Sequence, residues 1–164
     1  MAEKDLVMML AAHDAFRRDL RLLSERFDPE RWASFRAQLS THHRAEDAVL
    51  WPRLRKRGVD PGLVDAMEAE HSTIDPLLRA VDGGRRDEVA TLRDVLGAHL
   101  RHEETDVLPQ VDEDEWRVLD REFRRRLGVR GIRSYFAWVL EGASDEMRAK
   151  VLKAAPAPVR LVIR

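Results

Sequence analysis

His42-His43-Arg44-Ala45-Glu46-Asp47-Ala48-Val49-Leu50-Trp51-Pro52 and His99-Leu100-Arg101-His102-Glu103-Glu104-Thr105-Asp106-Val107-Leu108-Pro109 carry one pattern twice: a histidine, a carboxylate four residues on, a second directly after it, and a proline. A lone histidine precedes each copy, His13 by 29 residues and His71 by 28. The chain therefore reads as two copies of one helix pair. Residues four apart on an α-helix differ by about 40° in azimuth and about 6 Å in height, so His42 and Glu46 project into one space, as do His99 and Glu103.

Outward from the motifs, apolar residues recur at helical spacing. Leu6, Met9, Leu10, His13, Phe16, Leu20 and Leu23 share a stripe that predicts a first helix from Asp5 to Arg26. Asp28-Pro29 opens a second, with Trp32, Phe35, Leu39, His42, Glu46, Val49 and Leu50 on one face and Gly58 as its stop. Asp60-Pro61 opens a third, carrying Leu63, Val64, Met67, His71, Ile74 and Leu78 to the Asp82-Gly83-Gly84 turn, with Pro76 expected to kink it. A fourth runs from Arg85 through Leu92, Leu96, His99 and Glu103 to Pro109. Connections this short make neighbours antiparallel, so residues 1–110 read as an all-α, up-down-up-down four-helix bundle. Residues 111–164 read as a helical extension packed on the bundle, with helical stretches at Asp112–Leu127, Tyr135–Leu140 and Ser144–Lys153, and an extended tail over Val159–Arg164.

Composition narrows the chemistry. A length of 164 residues supports one core. There is no cysteine, which excludes disulfides, thiolate zinc sites and cysteine-held iron-sulfur clusters, so any metal must sit on nitrogen and oxygen. The 29 basic and 30 acidic residues balance, giving no field to attract nucleic acid or an anionic membrane. Arg121, Arg124, Arg125, Arg126, Arg130 and Arg133 cluster locally, but such a run is ordinarily a solvated helix face. No apolar run approaches the roughly 20 residues of a membrane span, and the N-terminus lacks a signal peptide's pattern, so the expected location is the cytoplasm.

Both His-x-x-x-Glu pairs fall on stripes that must be buried, and an ionised carboxylate loses its hydration there unless a cation offsets the loss. His13 and His71 fall on the buried stripes of the other two helices, and all four can meet at one level. The inventory is four neutral imidazoles and two carboxylates, a donor set suited to a pair of iron ions: a carboxylate can bridge two ions, and imidazole is a terminal ligand to either oxidation state. With a solvent-derived oxo or hydroxo bridge, each iron keeps a vacancy for dioxygen, peroxide or nitric oxide. His43 and His102, beside the motif histidines, are expected in supporting or surface roles, with His102 close enough to His99 to be an alternative ligand. Asp47 and Glu104 are expected to face solvent or a neighbouring helix, or to hydrogen-bond an imidazole. The four tryptophans, Trp32, Trp51, Trp116 and Trp138, are expected in packing, Trp51 with Leu50 keeping water from the pocket. A ferritin-like centre needs Glu-x-x-His on two helices, and only Glu68-x-x-His71 fits. A zinc hydrolase lacks its His-Glu-x-x-His.

This pattern resembles the hemerythrin-like family of His-His-Glu cation-binding domains over residues 6–110. Carried over position by position, the resemblance implies a non-haem di-iron centre held by His13, His42, Glu46, His71, His99 and Glu103. It implies a role in binding or sensing dioxygen, peroxide or nitric oxide, with a redox or protein partner left open. An iron-storage or metal-independent interaction module, or an enzyme that decomposes peroxide or oxidises a substrate, are the alternatives. The run Tyr135–Ala143 also looks like extensions on some bacterial members. Two departures matter. Oxygen-carrying members have a fifth histidine four residues after that of the third helix, where this chain has Asp75, which makes the two irons more alike and favours redox turnover or sensing over reversible carriage. Some members also take their carboxylate five residues after the fourth-helix histidine, which is Glu104; on an ideal helix Glu104 lies about 140° from His99, which favours Glu103.

Overall fold

Proline and glycine punctuate the chain where the helices turn. The computed structural model describes residues 3–155, and the tail expected over Val159–Arg164 lies outside them. Helix α1 spans Glu3–Glu25; α2 spans Pro29–Ala45, its N-terminus capped by Asp28, whose carboxylate accepts from the N–H groups of Glu30 and Arg31. A π turn, Glu46–Leu50, joins α2 to α3, Trp51–Arg57. Gly58 closes α3 at φ 86°, a left-handed conformation that costs a glycine nothing. Helix α4, Pro61–Asp82, runs on through Pro76. Helix α5, Glu88–His102, passes through a second π turn, Glu103–Val107, and a 3-10 turn, Leu108–Gln110. Among the described residues there is no strand.

Helix α1 packs on α2 and α5, α4 packs on α5 and α3, and the ring of four closes. The core is divided. Phe16, Leu20, Phe35, Leu39, Ile74, Leu78, Leu92 and Leu96 fill one end, and Met9, Leu50, Trp51, Leu54, Val64, Met67 and Val107 fill the other. His13 lies between Met9 and Phe16 along α1, and His71 between Met67 and Ile74 along α4, so the histidines form a polar layer between two apolar ones.

The extension is two helices. Helix α6, Glu113–Leu140, starts on a capping box between Asp112 and Glu115 and bends at Gly128, whose φ 62° and ψ 175° are not helical. Helix α7 spans Asp145–Ala154 under a Ser144 cap and ends two residues before the first proline of the Ala155–Pro158 run. Both pack on α1, and α6 also covers α2 and the first π turn. A buried carboxylate clips them down: Asp19, fully buried, accepts from Trp138 Nε1 at 2.7 Å, Arg31 Nη1 at 2.7 Å and Arg18 Nη2 at 2.8 Å. Arg31 reaches on to Glu141 at 2.7 Å. All four tryptophans are buried, as their apolar neighbours led one to expect.

Candidate metal centre

Each motif carboxylate sits where the helix widens. Trp51 N–H donates to the carbonyl of Glu46 and Leu108 N–H to that of Glu103, five residues back in both cases. Pro52 and Pro109 come next. Proline has no N–H, and its ring crowds the carbonyl four residues earlier; one extra residue in the turn relieves that crowding without ending the helix. The repeated proline is thus accommodated at both π turns, whereas α4 carries Pro76 without one.

The two halves of the repeat meet crosswise. His13 Nε2 lies 3.2 Å from His42 Nε2 and 3.4 Å from Glu103 Oε2, and His71 Nε2 lies 3.2 Å from His99 Nε2. Glu46 spans the two pairs, with Oε1 2.9 Å from His42 Nε2 and Oε2 3.6 Å from His71 Nε2. The outward ring nitrogens are held by carboxylates. His13 Nδ1 donates to Glu104 at 2.8 Å, His71 Nδ1 to Asp47 at 2.8 Å and His99 Nδ1 to Glu70 at 2.8 Å. The carboxylate after each motif glutamate therefore serves the lone histidine of the other copy.

Two observations test whether these residues fit a cation. With Nδ1 of both His71 and His99 committed as donors, their neutral rings present two lone pairs to each other across 3.2 Å, an arrangement that repels unless a positive ion lies between. Both oxygens of Glu46 and of Glu103 are buried and accept no hydrogen bond in good geometry, and buried polar atoms in that state are rare. A metal answers both.

The same crowding shapes the proton equilibria of these side chains. Burial lowers His13 and His99 to about 4, against the pull of Glu104 and Glu70, and lowers His43 well below the ordinary imidazole range. For His71 burial acts in the same sense, but Asp47, Glu46 and Glu70 together outweigh it and raise the ring. Burial and the charge of Glu46 push Glu103 well up, whereas the histidines facing Glu46 outweigh its burial and hold it down. Glu104, gripped by His13 and Arg17, falls to about 2 although burial opposes it.

The structure brings all six sequence-derived residues, His13, His42, Glu46, His71, His99 and Glu103, into the interior at 6% exposure or less. It also brings a residue that sequence reasoning set aside. His43 is not at the surface: it is 7% exposed, stacks on His71 with ring centroids 3.8 Å apart, and its Nε2 has no hydrogen-bond partner. His43, His71 and His99 each offer a donor atom within 4.8 Å of the others, and so do His13, His42 and Glu103. His102 is outside both sets and donates to Glu70 at 2.7 Å, beside His99. Glu70 was missed altogether; it sits one position before His71, where the stripe that identifies helices carries no information about it. Glu68, of the partial ferritin-like match, pairs with Arg55 at 3.0 Å. Trp51, fully buried, hydrogen-bonds Asp47 at 3.1 Å and lies 5.9 Å from the His71 ring.

A family described as the hemerythrin HHE cation binding domain matches residues 5–111. No curated protein and no solved structure matches the chain. Among the described residues no helix is long and apolar enough to cross a membrane.

Proposed function

The chain belongs to the hemerythrin HHE cation-binding family, and from that premise we propose that its polar layer holds two iron ions and that the pair handles dioxygen, peroxide or nitric oxide. The span of Glu46 carries this reading. A carboxylate whose oxygens face separate histidine pairs, one at 2.9 Å and one at 3.6 Å, is placed to join two ions rather than to chelate one. His13, His42 and Glu103 would hold the first ion, and His71, His99 and His43 the second. When bound, iron supplies one-electron redox chemistry and open positions for a small ligand.

The chain's own residues set the conditions for that chemistry. Glu104, Asp47 and Glu70 hold the Nδ1 protons of His13, His71 and His99, which fixes each ring and turns its Nε2 lone pair inward. Leu50 and Trp51, both fully buried, keep bulk water from one side. Asp75, in the place of the oxygen carriers' extra histidine, is exposed, while His43 brings a fifth imidazole from α2. The two positions are therefore unlike, and the likeness expected from Asp75 alone does not carry over to this donor set. Without the carriers' own arrangement, the reading remains redox turnover or sensing rather than reversible carriage.

Metal analysis with an optical spectrum tests it. Two irons per chain and a ligand-to-iron charge-transfer band are expected, and both are lost in His42→Ala and Glu46→Ala. One ion per chain, or a band that survives either substitution, refutes the dinuclear reading. Hydrogen peroxide added to the reduced, iron-loaded protein then separates the roles: repeated turnover marks an enzyme, and a single spectral change marks a binding or sensing module.

A further inference from the structure

The two halves of the repeat differ at one place that the metal reading leaves unused. In the second half, Glu70 stands one residue before His71 and accepts the Nδ1 proton of His99. Its counterpart in the first half, one residue before His13, is Ala12. Among the described residues no side chain takes Nδ1 of His42, the ring that corresponds to His99. In place of a carboxylate there is space: a cavity of about 240 Å³, lined by Ala12 and His42 on the bundle side and by Trp116, Leu119, Phe123 and Tyr135 of α6 on the other. Phe123 is set against His42 with ring centroids 5.7 Å apart.

We propose that this chamber binds an uncharged, apolar organic molecule carrying a hydrogen-bond acceptor, of the aromatic ketone class. The inference rests on the metal reading in one respect: a metal on Nε2 leaves the His42 proton on Nδ1, free to donate. Size supports it. An apolar cavity of about 150 Å³ holds benzene, so this one takes a bicyclic ring system. The walls support it, since they are mostly apolar and the one cation among them, Arg124, is already paired with Asp120 at 2.6 Å, leaving no free charge to receive an ionised ligand. A donor supports it as well: His42, 2% exposed, lines the chamber, and among the described residues no side chain takes its Nδ1. A buried donor without a partner is costly, and a ligand oxygen satisfies it. The C-terminal extension thereby becomes the lid and wall of a binding site beside the metal ligands.

The test uses Prodan, an uncharged naphthyl ketone whose emission moves to the blue in a dry site, with the full chain in both iron-loaded and chelator-treated forms. A saturable blue shift is expected in both. Ala12→Leu, which fills the inner end, and Ala154→Trp, which fills the chamber from α7, are each expected to weaken binding at least tenfold; two variants guard against one that fails to fold. The carbonyl stretch of 13C-labelled 2-acetonaphthone should fall below its value in dry hexane. No saturable shift in a protein that loads two irons overturns the chamber and leaves the metal reading standing. Binding to the chelated form of a protein that takes up no iron supports the chamber and overturns the metal reading. Affinity unchanged in both filling variants places the probe elsewhere and overturns the assignment, and an unshifted carbonyl overturns the hydrogen bond.

Discussion

Glu104→Ala removes one carboxylate that touches no proposed metal position yet should weaken one ion and spare the other. In the structure Glu104 Oε1 accepts from His13 Nδ1 at 2.8 Å while Oε2 accepts from Arg17 at 2.8 Å, so the glutamate is itself held in place. A hydrogen bond to a charged group contributes on the order of 1.5–3 kcal/mol; with the Glu104 side chain 22% exposed, the lower part of that range applies, about 1.5–2 kcal/mol. At about 1.4 kcal/mol per decade this is roughly a 10- to 30-fold loss of affinity, inside the span found for partners of metal-bound histidines. The loss should fall on the ion held by His13 and His42. His71 and His99 keep Asp47 and Glu70, so the other ion should bind as in the wild type. Titration of the chelated protein with ferrous iron, against a chromogenic competitor, should change from nearly one step to two, and Glu70→Ala should weaken the opposite step. Equal displacement of both steps in either variant, or a change under twofold, would refute the claim that these carboxylates act through individual rings.

Asp19→Asn should lower stability by about 3 kcal/mol, because it removes the charge that Arg18 and Arg31 share and leaves one acceptor where Trp138 and both arginines need several. For a chain of this size that is roughly 6–12 °C in melting temperature, and a thermal melt within about 1 °C of wild type would sink the idea that Asp19 clips the extension down. Chelation should also destabilise: metal at about 1,000 times its dissociation constant adds about 4 kcal/mol per site to the folded state, so removal should cost on the order of 8–16 °C for one ion alone. Calorimetry before and after dialysis against a chelator checks this, and superimposable melts would argue for a bundle that folds without using its polar layer.

Much of this architecture is legible from spacing alone. Apolar stripes locate α1, the run of α2 through α3, α4, and α5 with the two turns after it to within a few residues, because a helix buried on one side must repeat its apolar positions at 3.6 residues. The histidines and glutamates on those stripes announce a polar layer for the same reason. What the stripe leaves out is a residue whose burial depends on a neighbouring helix. His43 lies about 100° around α2 from His42, off the stripe, and is buried because His71 of α4 stacks on it. Glu70 and Asp47 likewise matter only through rings on other helices. The π turns were missed although their signal was present: a proline ten residues after each motif histidine, in a helix that does not stop there, requires some local accommodation. In α6, Gly128 carries the bend directly after Leu127, where the sequence reading ends its helical stretch, and the chain runs on beyond it to Leu140 within the same helix.

The repeat also explains why the extension lies on one face of the bundle and not the other. Glu70 and His102, hydrogen-bonded at 2.7 Å and about one third exposed, close the outside of the second half with a polar pair that water can reach. The same two positions in the first half, one before the lone histidine and three after the motif histidine, are Ala12 and Ala45, at 2% and 0% exposure. Two alanines leave a shallow, apolar face that would be costly to expose, and α6 packs on the helices that bear it. A duplicated helix pair begins with two equivalent outer faces. Shrinking one pair of side chains turns one face into a seat for an added helix, and because those side chains sit beside a motif histidine, whatever covers the seat also controls access to that ring. On this argument the Ala12→Glu substitution, which restores the missing carboxylate, should displace Phe123 from His42, loosen α6 and leave α5 untouched. Hydrogen exchange that quickens in α6 alone would agree, while uniform quickening, or none, would show that the covered face owes nothing to the broken symmetry.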